Sequence, residues 1–371
     1  MALLRTAPMP PPTPRRGPRL DALGTAARRV AAMALTPLVP ADYLDLVAPL
    51  RKGADLRAKV VRLERETRDA TTVVLRPGGD WQGHVPGQYV RLGIDVDGVR
   101  RWRAYSLTSV PAAPDGLISV TVKAIPDGVV SRHVRDRLRP GTIVQLDQAT
   151  GDFVLGAHRG PTLFLTAGSG ITPVMGMLRS RLDALDDVVV VHSAPTRDDV
   201  VFGPQLRAWH AEGRLRLVER RTASAGILHP SALDDVVPDW RDRHTWACGP
   251  TALLDDAETH WADAGLADRL HTERFRATVV ATGEGGTVTF ARSGTDVEAD
   301  GATPLLDAGE GAGVLMPSGC RMGICFGCVA GLRSGAVRDL RSGELTTAVP
   351  EDGVRIQTCV SAAAGPCEID L

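Results

Sequence analysis

Long apolar runs are missing from this 371-residue chain. No stretch approaches the ~18 residues of a membrane-spanning helix, which argues against an integral membrane protein. The formal net charge is only −1, which argues against a general nucleic-acid binder. Lysine is nearly absent, with Lys52, Lys59 and Lys123 the only three among 43 basic residues. That arginine bias reads as the mark of a GC-rich coding sequence. Internal repeats are absent, and low complexity is confined to the first 20 residues. The first 247 residues hold no cysteine, whereas four of the six lie between Cys320 and Cys359. Such clustering is not a disulfide framework and reads as a metal site in a reducing compartment. The rest is ordinary for a globular protein, with 43% apolar and 23% charged residues, enough for two or three domains.

Residues 1–53 form a basic extension, with eight basic and three acidic residues, a balance of +5. Arg15-Arg16 is followed by no apolar stretch, so it is not read as an export signal. Helical spacing predicts short helices at Asp21–Leu35 and Asp42–Val47. The extension is either a solvated tail packed on the next domain or an element that meets a membrane surface or acidic partner. Residues 54–158 predict an antiparallel β-barrel. Its strands are Leu56–Glu66, Thr71–Leu75, Gln88–Ile94, Trp102–Thr108, Leu117–Lys123 and Ile143–Gln145, with one helix at Ser131–Leu138. In residues 159–276 strands alternate with helices. The strands are Thr162–Thr166, Val188–His192, Leu215–Glu219, Thr245–Cys248 and Leu270–Thr272, which predicts an α/β parallel sheet. Residues 277–285 read as a linker. Residues 286–371 return to short strands, with a helix at Thr303–Ala308 and a strand at Val354–Val360.

Cys320, Cys325 and Cys328 stand in C-x4-C-x2-C spacing, and Cys359 follows. Four thiolates so spaced suit a [2Fe–2S] cluster. Gly319, Gly323 and Gly327 let backbone wrap closely around it. A zinc site is the alternative, although zinc sites usually use two short C-x2-C pairs. The loop matches the C-R-x-G-x-C-x-x-C pattern throughout, and residues 286–371 resemble a plant-type ferredoxin domain of β-grasp α+β fold. Met322 is bulkier than the alanine usual there. Cys367 falls outside the pattern and reads as core. This domain carries 11 acidic and six basic residues, a balance of −5.

In the barrel, Arg103-Ala104-Tyr105-Ser106 follows a strand, and Gly128-Val129-Val130-Ser131 opens the one helix. A flavin needs a flat aromatic partner, a donor near its reactive nitrogen, and positive charge with free N–H groups for its phosphates. Tyr105, Ser106 and Arg103 suit these needs in turn, and the Val129–Ser131 helix start offers N–H groups. The barrel resembles the flavin domain of the ferredoxin–NADP reductase superfamily, which implies those roles, with FAD favoured over FMN.

The parallel-sheet domain contains Gly168-Ser169-Gly170-Ile171-Thr172-Pro173 between a strand and a helix, a turn suited to a pyrophosphate. It resembles the superfamily's G-x-G-x-x-P nucleotide motif. Cys248-Gly249-Pro250 ends the fourth strand, and the resemblance places this cysteine near the reacting nicotinamide carbon. Arg197, Arg220 and Arg221 follow the second and third strands, where a 2′-phosphate would lie, so NADPH is expected over NADH. Glu273-Arg274-Phe275 closes the sheet.

From about residue 55 the chain resembles flavin reductases with a C-terminal ferredoxin. The resemblance implies a cytoplasmic oxidoreductase that passes electrons from NADPH through FAD and a [2Fe–2S] cluster to a partner protein. The stretch from Leu35-Thr36-Pro37-Leu38 through Asp42-Tyr43-Leu44 to Leu56–Val60 most resembles actinobacterial reductases that serve membrane acyl-CoA desaturases. That makes a desaturase at the inner membrane face the expected acceptor. The alternative is the reductase component of a soluble ring-hydroxylating oxygenase, hydroxylase or P450 system. The chain shows no globin, no haem motif and no two-histidine, one-carboxylate set, so oxygen activation is expected on the partner.

Overall fold

A computed structural model describes residues 44–371 apart from 46, 127, 276–280 and 324. The helix expected at Asp21–Leu35 lies outside the described residues, and Asp42–Val47 lies only partly within them. No helix among the described residues is long and apolar enough to cross a membrane.

The first domain is built from β1 (Arg57–Arg65), β2 (Ala70–Pro77), β3 (Tyr89–Val96), β4 (Val99–Ser106), β5 (Ile118–Lys123) and β6 (Ile143–Leu146), in sheet order β4-β3-β6-β1-β2-β5. Every ladder is antiparallel. The two edges meet through a Leu107–Val120 bridge and a 2.8 Å hydrogen bond between the Thr108 and Ser119 hydroxyls. Closure leaves few exposed strand edges. Val60, Leu75, Val90, Leu92 and Val120 fill the interior. The helix α1 (Val129–Asp136) adds Val130 and Val134 to it.

The second domain is a parallel sheet of β7 (Thr162–Ala167), β8 (Val188–Ala194), β9 (Arg216–Arg221), β10 (His244–Cys248) and β11 (Leu270–Glu273), in order β11-β10-β7-β8-β9. Side chains alternate across a strand, so each face has its own core. Phe164 and Val190 pack with helices α2 (Ile171–Arg181) and α3 (Gly203–Ala211). Leu163 and Val189 pack with Leu254 and Trp261 of α4 (Thr251–Asp263).

The third domain combines β12 (Gly286–Phe290), β13 (Thr295–Ala299), β14 (Val329–Asp339), β15 (Leu345–Ala348) and β17 (Ser361–Ile369), in order β13-β12-β17-β14-β15. The short β16 (Arg355–Gln357) pairs with β14. Only β12 and β17 run parallel, and α5 (Leu305–Gly311) buries Leu305 and Leu306 against the sheet. The strand expected at Val354–Val360 is shorter. Thr358 donates from both its N–H and its hydroxyl to the Cys328 carbonyl, at 3.2 and 2.9 Å. These bonds continue the register of β16 with β14; the Val360 N–H, donating to the Gln357 carbonyl at 3.1 Å, then turns the chain at Cys359, whose sulfur lies beside that of Cys328. Part of the segment expected as a linker is seated on this domain. Gly283 N–H donates to the Gly301 carbonyl at 2.7 Å and Gly285 N–H to that of Ala363 at 3.0 Å.

Barrel and parallel sheet are joined by close backbone contact. A Cβ on Gly176 of α2 would stand 2.3 Å from the Leu107 carbonyl oxygen, and one on Gly87 only 2.6 Å from the methyl carbon of Met177 on the same helix. Gly176→Ala is therefore expected to lower the thermal midpoint, with the ~1–3 kcal/mol cost typical of overpacking. Gly311→Ala, in open space at the end of α5, should not. Equal midpoints for the two variants in a melting series would contradict this account of the junction.

Candidate functional site

All three domains contribute to one cavity of about 1070 Å³. Its barrel wall includes Arg103, Tyr105 and Ser106 at the end of β4, Lys123 of β5, and Val129, Val130 and Ser131 of α1. The parallel sheet adds Ser169, Thr172, Glu273 and Phe275, and the third domain adds Cys320, Arg321, Met322 and Cys359.

The barrel wall is prepared for an anionic, ring-bearing ligand. Ser106 is 4% exposed and its hydroxyl has no hydrogen-bond partner, an arrangement that costs stability unless a ligand completes it. The Arg103 guanidinium donates to the Trp102 carbonyl at 2.8 Å. Burial, and then the nearby Arg321 cation, pull its pKa down to about 10. It stays charged, and among the described residues it makes no ion pair, Glu310 acting on it only from a distance. Burial pushes the Tyr105 hydroxyl well above its usual range, so it stays neutral. At the start of α1, Ser131 donates its hydroxyl to the Gly128 carbonyl at 3.2 Å. The first-turn N–H groups of an α-helix have no intrahelical acceptor and can meet a phosphate. A Cβ at Gly128 would fall 2.2 Å from the Ser131 hydroxyl oxygen, so this entry needs glycine. Orphaned hydroxyl, uncompensated arginine and open helix start fit a flavin nucleotide.

The nucleotide turn lies beside this wall. Gly168 has φ +55°, and a Cβ on Gly170 would stand 2.0 Å from the Cys248 carbonyl oxygen. The turn is thereby pressed onto the end of β10, and its position depends on glycine. The Thr172 hydroxyl donates to the Ser169 carbonyl at 2.9 Å and tightens the turn. Gly249 and Pro250 lead into α4. Cys248 itself is 0% exposed, and its thiol is held up by burial and then by the nearby Glu273. It packs beneath the cavity, and Glu273, its register partner on β11, is the side chain that lines the wall. The Glu273 Oε2 has no partner, and burial pushes its pKa up to about 8. The superfamily resemblance implies an aromatic or a carboxylate near the flavin where Glu273-Arg274-Phe275 closes the sheet, and both Glu273 and Phe275 line the cavity.

The three arginines divide. Arg220 is spent on backbone, donating to the carbonyls of Gly226, at 3.0 Å, and Ala225. Arg197 and Arg221 are exposed, with no side-chain partner among the described residues. The first follows β8 and the second ends β9, adjacent strands in the sheet.

In the cysteine loop the sulfurs fall into two pairs. Those of Cys328 and Cys359 are 3.2 Å apart. Cys325 takes N–H bonds from Cys320 at 3.1 Å and Gly327 at 3.4 Å, and Cys320 takes one from Met322 at 3.3 Å. No group of three or more His, Cys, Asp or Glu is placed to hold a single ion among the described residues. Two thiolate pairs with N–H donors fit a two-iron cluster better than a tetrahedral zinc ion. A brace missed in the sequence holds the loop from below. Arg341 and Gln357 both donate to the Gly323 carbonyl, at 2.9 and 3.0 Å. Cys367 is 5% exposed in the domain core.

Comparisons with known proteins agree with this geometry. Residues 57–155 match an oxidoreductase FAD-binding domain, 164–259 an oxidoreductase NAD-binding domain, and 288–364 a 2Fe-2S iron-sulfur cluster binding domain. An NADPH oxidoreductase of Mycobacterium tuberculosis is 51% identical over 93% of this chain and 92% of its own length. The reductase subunit of glycine betaine monooxygenase from Chromohalobacter salexigens is 30% identical over 65% of this chain and 74% of its own. The structure of phthalate dioxygenase reductase superposes with a TM-score of 0.59 at 23% identity, covering 85% of this chain and 97% of that one; it shares the fold.

Glu273 yields a test by pH in the cofactor-free protein. Its carboxyl releases its proton near 4.5 when unfolded and near 8 when folded. Between these values the folded state binds more protons, so stability falls as pH rises and the full penalty is reached above about 8. Glu273→Gln removes this slope. Its thermal midpoint should match wild type near pH 4 and exceed it increasingly toward about pH 8. A constant offset across that range would overturn the assignment.

Proposed function

The chain belongs to the NADPH oxidoreductase family that joins an FAD-binding barrel, an NAD-binding domain and a [2Fe–2S] ferredoxin domain, and from that premise we propose that it carries electrons from NADPH to a partner oxygenase or desaturase. One observation carries the reading: the cysteine loop forms a wall of the flavin cavity, with Cys320 and Cys359 facing the same space as Tyr105, Ser106 and Glu273. The bound groups supply the redox chemistry, with nicotinamide and flavin exchanging a hydride and the cluster taking electrons singly.

The protein's part is binding, orientation and charge. Arg103 and the first N–H groups of α1 (Val129, Val130, Ser131) hold the flavin's phosphates. Tyr105 presents a neutral ring face, and the Ser106 hydroxyl donates to the flavin's redox edge. Gly168, Ser169, Gly170 and Thr172 receive the dinucleotide's pyrophosphate, with Gly249 and Pro250 shaping the opposite side. Cys248 and Glu273 form the floor where the nicotinamide reacts, and the protonated Glu273 keeps that floor free of charge. Arg197 and Arg221 take the 2′-phosphate, and Arg220 fixes the loop that follows. Cys320, Cys325, Cys328 and Cys359 ligate the iron.

For the acceptor, a membrane fatty-acyl desaturase is the reading supported by the +5 extension of residues 1–53, which would favour an anionic surface. A soluble oxygenase component is the second reading, supported by the monooxygenase reductase subunit among the relatives.

Two outcomes test the path. Cys325→Ser should keep NADPH-driven dye reduction at the flavin and lose delivery to either acceptor. Comparing a membrane desaturase with a soluble oxygenase as acceptor then tells which is served, and full delivery by the serine variant would sink the proposal. Arg197→Ala combined with Arg221→Ala should raise KM for NADPH by roughly tenfold or more, the loss of ~1.5–3 kcal/mol of charged hydrogen bonding. KM for NADH should barely change. Equal effects on both nucleotides would assign the 2′-phosphate elsewhere.

A further inference from the structure

The barrel reaches the cysteine loop with a side chain of its own. Arg91 stands on β3, opposite Ala104 in register. It is aimed by an ion pair with Asp147 and by the Trp102 ring, whose centroid lies 5.6 Å from its guanidinium carbon. Two loop glycines leave room for it. A Cβ on Gly319 would fall 2.9 Å from Arg91 Nη1 and 2.4 Å from the Cys325 sulfur, and one on Gly327 would fall 3.1 and 3.4 Å from the same atoms. These distances place the guanidinium beside the Cys325 sulfur, where its charge favours the thiolate. Cys325 is the one cysteine of the four that is not buried, and it is the one beside the Arg91 guanidinium. A second contact, the 3.4 Å ion pair of Arg101 with Glu310 of α5, joins the same two domains.

We infer that Arg91 is a positioning residue for electron transfer, which makes the cluster's hold on an electron depend on docking between the flavin barrel and the ferredoxin domain. The inference rests on the proposed electron path and says how it is made directional. One electron, drawn from the NAD(P)H-reduced flavin, makes the already anionic cluster one charge more negative. A fixed cation on a ligand sulfur favours that reduced form. The N–H donors of Cys320 and Gly327 travel with the loop; Arg91 stays with the barrel. While docked, the cluster is the better acceptor. Once the domain leaves for its partner, Arg91 is lost and the same cluster becomes the stronger donor.

The test is an EPR-monitored redox titration of the full-length, cofactor-loaded protein. Arg91→Gln should reduce the ratio of reduced to oxidised cluster at fixed potential by roughly tenfold, about 59 mV for a one-electron couple. Arg91→Lys should recover part of the shift. Raising salt should lower the wild-type potential toward the Arg91→Gln value by loosening docking. Screening of the domain's own −5 balance acts oppositely, because it favours the more charged reduced form. An Arg91→Gln protein with full iron content and an unshifted potential overturns the inference. So does a wild-type potential that rises with salt, a measurement needing no variant. NADPH-driven bleaching of the wild-type cluster checks the electron path separately, so failure of the path and failure of the inference are told apart.

Discussion

Opposite charge meeting across one cavity is the interaction on which the arrangement depends. The barrel presents Arg91, Arg101 and Arg103 along two neighbouring strands, and Arg321 approaches from the third domain. Protein carboxylates answer only some of them: Asp147 pairs with Arg91, Glu310 with Arg101, and Asp307 and Glu310 with Arg321. Arg103 is left partly buried with no ion pair among the described residues, Glu310 acting on it only from a distance. A buried cation without a partner is costly, and this one is balanced when an anionic nucleotide takes its place. The cluster, anionic through its thiolates, is met by the same rim.

Two kinds of junction follow. Barrel and parallel sheet touch backbone to backbone where Gly176 meets Leu107, a contact that does not relax without cost. The third domain is held differently. Its ion pair from Arg101 to Glu310 is partly exposed, with side chains 23% and 16% accessible. A side-chain pair of that kind can part and be rehydrated without moving backbone against backbone. A rigid pair of domains that meets nicotinamide and flavin, and a lightly held domain that carries the cluster, suit a molecule that must expose its exit to another protein.

Much of this was legible in the sequence where spacing is local. C-x4-C-x2-C, G-x-G-x-x-P and R-x-Y-S are short because each surrounds one ligand with consecutive backbone. Strand positions were legible from alternation, and all five strands of the parallel sheet lie where expected. The strand around Cys359 was overextended, since Val354–Val360 has β-type composition but the Val360 N–H donates to the Gln357 carbonyl and turns the chain. Arginine was the least readable residue. With 40 of them in the chain, composition cannot separate Arg220, spent on its own backbone, from Arg197 and Arg221, which are free, or from Arg341, which braces the loop.

The amino-acid order by itself determined three domains, their sequence along the chain and the cofactor class each takes. These follow from periodicity and from ligands that lie within a few residues of one another. Only the tertiary structure decided that Cys248 is buried while Glu273 lines the wall, because β10 lies inside the sheet and β11 at its edge. It alone also decided that Arg91 meets Cys325. These residues are more than two hundred positions apart, on different domains, and nothing short-range relates them. Their contact is a product of domain docking, a balance of weak charge interactions that no local pattern encodes.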